Sequence, residues 1–152
     1  MNADGSQANW PVSGTNALSA TLAVTEVPDH VCVGQIHVGT AIQSGLTATT
    51  KPLLELNGDI KLGIEDSPTG SQTSHDIASV PVGTKFSYTI QLTGDGTITL
   101  VLNGVTSTFA MPSSFVGYGE YFKAGDYDQT AGSDASIGAT VKFYALQVSH
   151  QP

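Results

Sequence analysis

The sequence predicts an all-β fold, a sandwich or jelly roll of two packed antiparallel sheets. Three observations carry that prediction. Short runs alternate apolar and polar residues, turn residues separate the runs, and no long stretch shows the helical period. Composition agrees: only 12% of residues are charged, while Gly, Ser and Thr are abundant, as in secreted or bacterial β domains. The 39% of hydrophobic residues is too much for a disordered chain. A length of 152 residues suits one core, so residues 1–152 read as a single domain.

Ala17 to Val27 opens the series, with Leu18, Ala20, Leu22 and Val24 on one face and Pro28-Asp29 ending it. Val31 to Val38 is the second strand. Pro52 to Leu56 and Ile60 to Ile64 flank Asn57-Gly58-Asp59, a tight hairpin signal. Ser67 to Ser79 is polar and reads as a surface loop. A meander follows: Lys85 to Thr93, a turn at Gly94-Asp95-Gly96, Thr97 to Leu102, a turn at Asn103-Gly104, and Val105 to Met111. Beyond Pro112-Ser113-Ser114 comes Glu120 to Gln129. Small residues from Thr130 to Gly138 form a loop, and Ala139 to Val148 is the last strand. Strands at this spacing close into two sheets, and no internal repeat or linker interrupts them.

Charge removes whole classes of function. Lys51, Lys61, Lys85, Lys123 and Lys142 are the five basic residues against 13 acidic ones, a net charge of -8 with no Arg. A nucleic-acid partner needs many cations, so it is excluded. No apolar run approaches the ~20 residues of a membrane span, and no signal peptide follows Met1. Cys32 is the single cysteine; within Val31-Cys32-Val33 it reads as a buried thiol. His30, His37, His75 and His150 lack zinc-ligand spacing. Asp126, Asp128 and Asp134 lack the Gly and terminal Glu of a calcium loop. No Gly-x-Ser-x-Gly turn supplies a serine nucleophile. The expectation is therefore no metal and no cofactor.

Two strands carry polar residues that a plain core strand does not need. Alternation points Gln35 and His37 to one face, with Ile36 opposite. In Tyr121-Phe122-Lys123-Ala124-Gly125-Asp126-Tyr127-Asp128-Gln129 it puts Tyr121, Lys123, Tyr127 and Gln129 on one face, with Gly125 leaving a gap. Each pattern alone also fits an ordinary solvated face. Together, amide, imidazole, ammonium and phenol suit an anionic ligand such as a sugar acid.

At these segments the sequence resembles the alginate lyases of polysaccharide lyase family 7. Gln35-Ile36-His37 is similar to one signature motif, and the segment from Tyr121 to Gln129 matches a second, Tyr-Phe-Lys-Ala-Gly-x-Tyr-x-Gln, at every fixed position. Leu18 to Leu22 and the Phe86-Ser87-Tyr88 meander extend the likeness over essentially the whole chain. The resemblance implies a concanavalin-like β-jelly roll whose concave sheet is the substrate groove. It implies cleavage of alginate by β-elimination, by a secreted or periplasmic monomer without a cofactor.

By the same resemblance Gln35 donates to the uronate carboxylate. His37 is the base, at least for guluronate, and its ordinary pKa of about 6.5 suits that task. Tyr127 is the acid, and a candidate base for mannuronate; a phenol of pKa about 10 donates readily at neutral pH. Lys123, Tyr121 and Gln129 are implied as substrate-binding. Ile36 at the centre of its motif is associated with guluronate-containing blocks. The family's third motif, Arg-x-Glu-(Leu/Val/Met)-Arg, has no counterpart here. The expectation is a chain shortened at its N-terminus, with Met1 an internal Met of a longer enzyme; the alternative is a natural short variant. Loss of that Arg predicts weakened turnover unless a Lys substitutes, with Lys61 the candidate. Two other readings stay open: a non-catalytic polyuronate-binding module, and a lyase for another polyuronate such as glucuronan.

Overall fold

A computed structural model describes residues 8–41, 52–57, 60–129 and 138–152, with residues 40, 41 and 52–57 described by backbone alone. The elements are β1 (Trp10–Pro11), β2 (Thr15–Glu26), β3 (Val31–Ala41), β4 (Pro52–Asn57), β5 (Lys61–Glu65), β6 (Gln72–Asp76), β7 (Phe86–Thr93), β8 (Thr97–Leu102), β9 (Val105–Ala110) and, after a 3-10 turn (Ser113–Phe115), β10 (Tyr118–Asp128) and β11 (Thr140–Gln151). They form a six-stranded sheet, β1-β10-β3-β4-β5-β6, and a five-stranded sheet, β11-β2-β7-β8-β9. The neighbouring strands are antiparallel. This is the all-β jelly roll that the sequence predicts.

Alternation builds the core between the sheets. Leu18, Ala20 and Leu22 of β2 meet Phe86, Tyr88, Ile90 and Leu92 of β7 and Ile98, Leu100 and Leu102 of β8. The facing sheet contributes Ile36 and Val38 of β3, and Leu62 and Ile64 of β5. The turn at Asn103-Gly104 holds both residues at positive φ (48° and 85°), the geometry that lets a two-residue loop follow strand twist.

Two elements depart from the sequence reading. The polar stretch expected as a loop from Ser67 to Ser79 contains β6, which pairs with β5 from Gln72 to Asp76. Trp10–Pro11 forms a short β1 against Gly119 and Glu120. Both are edge elements, where pairing relies on backbone groups and needs little apolar alternation. The Gly58-Asp59 turn and the loop 130–137 lie outside the described residues.

One tie between the sheets positions the site. The buried Tyr88 hydroxyl donates to the Val33 carbonyl oxygen at 2.8 Å. Gly34 makes room for it, because a Cβ there would lie 2.5 Å from the Tyr88 hydroxyl. At this point β3 is irregular: it passes from Cys32 to Gly34 while β4 passes only from Asn57 to Leu56. The extra residue reverses the phase of the strand. Val31 and Val33 pack into the core, whereas Gln35 and His37 face outward from it.

Candidate active site

The site is a groove of about 680 Å³ on the six-stranded sheet, lined by β3 and β10. Gln35, His37, Lys123 and Tyr127 all contribute to its walls. Register explains how they meet. Tyr121 lies directly opposite His37 and Lys123 opposite Gln35. Beyond them β10 runs from Ala124 to Tyr127 while β3 runs only from Gly34 to Cys32, a bulge at Gly125-Asp126. That bulge leaves Tyr127 opposite Cys32, and both border the groove. Simple alternation from Lys123 to Tyr127 anticipates the outcome but not this route. Gly125 lines the groove beside open space, where a Cβ would meet no atom within 4 Å.

Gln35 and His37 are buried, whereas Tyr127 is 57% exposed and presents its phenol to solvent and to any ligand in the groove. His37 Nδ1 lies 2.9 Å from the Val38 carbonyl oxygen. A carbonyl only accepts, so Nδ1 carries the proton and the neutral ring has its lone pair on Nε2. That tautomer makes Nε2 the atom equipped to take a proton. The Tyr121 ring stacks beside the imidazole at 5.0 Å between centroids, and the Lys123 ammonium sits 5.4 Å from the same Tyr121 ring.

The remaining sequence candidates fall elsewhere. Tyr121 touches His37 but is not among the groove-lining residues, and neither is Gln129, whose backbone N–H donates to the His30 carbonyl oxygen at 3.1 Å. Lys61, the expected stand-in for a missing cation, lies on β5 and pairs with Asp76 at 3.3 Å. Among the described residues, Lys123 is the one lysine lining the groove. Cys32 is buried, as expected, but its place at the groove border was not. The phase reversal at the bulge puts it there, and the run Val31-Cys32-Val33 gives no periodic signal of that reversal. Among the described residues no group of three or more His, Cys, Asp or Glu is arranged to hold a metal ion.

A proton acceptor and a proton donor across one open trough, with an amide and an ammonium beside them, can remove a proton next to a carboxylate and protonate a departing oxygen. On a jelly-roll sheet this defines a polysaccharide lyase. The comparison with family models makes the class specific: the alginate lyase family matches residues 1–150, and the chain belongs to that family.

Solved structures agree. The chain is similar to alginate lyase PA1167 from Pseudomonas aeruginosa, with 30% identity over 94% of this chain and 68% of that one and a TM-score of 0.81. It is similar to alginate lyase A1-II′, a member of polysaccharide lyase family 7, with 26% identity over 93% of this chain and 64% of that one and a TM-score of 0.78. The alginate lyase from Corynebacterium sp., at 24% identity, 99% and 66% coverage and a TM-score of 0.70, shares the fold. No curated protein matches the chain.

Proposed function

We propose that this chain cleaves alginate by β-elimination in the β3–β10 groove. The Gln35 amide donates to the uronate carboxylate and the Lys123 ammonium offsets its charge, so that the C5 proton becomes removable. His37 Nε2 accepts that proton. The electron pair of the C5–H bond becomes the C4–C5 double bond, the C4–O4 bond breaks, and the Tyr127 hydroxyl protonates the departing O4. Exchange with solvent then removes the proton from His37 and returns one to Tyr127, restoring the neutral imidazole and the phenol. Gln129 braces the end of β10, away from the reacting atoms. The chain acts as a monomer outside the cytoplasm, a reading supported by family membership; no described helix is long and apolar enough to cross a membrane.

The observation that carries this reading is the convergence of Gln35, His37, Lys123 and Tyr127 on one groove. A related lyase, A1-II′, has been solved with a product bound, at 25% identity and a TM-score of 0.78. The experiment is the rise in ultraviolet absorbance as the unsaturated product forms from alginate. Tyr127→Phe is expected to remove most of that rise while leaving binding of alginate largely intact. Equal rates in Tyr127→Phe and the native chain would falsify the assignment.

A further inference from the structure

We infer that Tyr121 is a positioning residue, whose ring holds the His37 imidazole in one orientation and seats the Lys123 ammonium away from it. The inference rests on the lyase reading and deepens it. In the sequence Tyr121 is a candidate for substrate contact, yet its side chain is not among those that line the groove.

Two contacts meet at this ring, one from His37 and one from Lys123. Tyr121 is the cross-strand partner of His37, and such pairs stand close enough for their side chains to touch. The two ring centroids are 5.0 Å apart with planes inclined at 38°. Lys123, two residues along the same strand, places its ammonium 5.4 Å from the ring centroid. The Nδ1 bond to the Val38 carbonyl and the Tyr121 ring thus both hold His37. A flip of the imidazole puts Cδ2 where Nδ1 lies and Cε1 where Nε2 lies, which breaks the bond to the Val38 carbonyl, and the flanking ring obstructs it.

The ammonium matters as much. It is a triple donor, and the lone pair on His37 Nε2 is an acceptor it would otherwise seek. The π face of Tyr121 offers it another seat, through the attraction of a cation for the ring quadrupole. The ammonium then remains at the groove wall to meet a carboxylate, and Nε2 remains directed at a proton. The phenol hydroxyl has no part in this, so the ring alone carries the effect.

The test compares Tyr121→Phe, which keeps the ring, with Tyr121→Leu, which removes it. Tyr121 is only partly buried, so either residue fits, and thermal unfolding checks that both variants are folded. Initial rates on alginate are expected to show kcat close to native for Phe. For Leu, kcat falls about tenfold to a hundredfold while KM stays near native, the pattern of a misplaced base. Nitrogen-15 spectra of the imidazole are expected to show the Nδ1–H tautomer of His37 in the native chain and in Phe, and a mixture of tautomers in Leu. A rise in KM with kcat intact in Leu overturns the inference in favour of direct substrate contact. Damage in Phe equal to that in Leu overturns it in favour of the hydroxyl. If the native chain itself shows no turnover, the lyase reading fails, and the nitrogen spectra alone decide the role of Tyr121.

Discussion

Glu120 is a carboxyl group on the wrong face of its strand. It shares the inward side of β10 with Tyr118 and is fully buried, with neither carboxyl oxygen hydrogen-bonded among the described residues. Burial alone pushes its pKa up from 4.5 to about 8. The sign of the consequence is fixed by linkage. Between these two values the folded chain keeps a proton that the unfolded chain has lost, so stability falls as pH rises from about 4.5 and levels off above about 8. The total is on the order of 5 kcal/mol, at about 1.4 kcal/mol per pH unit. Glu120→Gln, which cannot ionise, is expected to flatten this slope and to be the more stable protein at pH 8. Urea unfolding at pH 5 and pH 8 measures it, and Trp10, the only tryptophan and the cross-strand partner of Glu120, supplies the fluorescence. A native-like slope in the variant means that other groups carry the pH dependence. Alternation through Tyr118, Glu120 and Phe122 contains the signal for this residue. The motif running from Tyr121 to Gln129 draws attention past it.

At the scale of elements, legibility tracked periodicity. The meander of β7, β8 and β9 was legible nearly to the residue, because β7 and β8 alternate core and surface and Gly- or Asn-containing turns separate the three strands. β6 was not, because Gln72 to Asp76 packs little against the core and carries no alternation. The two bulges that aim the groove were not legible either. A bulge shifts phase by one residue, and the run from Val31 to Val33 reads identically with or without it. What fixes the β3 bulge is a contact from the other sheet, the Tyr88 hydroxyl on the Val33 carbonyl. Burial also holds that phenol above its ordinary pKa, so it remains a donor throughout the working range. Tyr88→Phe leaves the Val33 carbonyl without this donor and is expected to cost about 1–3 kcal/mol in urea unfolding. Activity is expected to fall further than stability explains, because Cys32 and Gln35 take their places from that bulge and Tyr127 lies opposite Cys32. Native kcat in a destabilised Tyr88→Phe would show that β3 holds its irregularity without help.

For the whole molecule, the charge balance sets how substrate arrives. A net charge of -8 faces a polyanion, so the long-range field opposes encounter. Within the groove the balance differs: among the described residues that line it, Lys123 and Asp126 are the formal charges apart from His37, and they offset one another. Attraction therefore acts at contact distance, through one ammonium and a buried amide, while repulsion acts over the surface. Salt separates the two, because a Debye length of about 8 Å at physiological ionic strength screens the far charges and leaves close contacts largely intact. Raising sodium chloride from about 0.01 M to about 0.15 M is thus expected to increase kcat/KM on alginate, chiefly by lowering KM. A basic lyase would respond in the opposite direction. Lys123→Gln removes the contact charge without altering the field greatly. It is expected to raise KM at every salt concentration while keeping the upward trend with salt. A kcat/KM that falls steadily as salt is added to the native chain would mean that a local positive potential governs encounter, and that the groove outweighs the acidic surface even at long range.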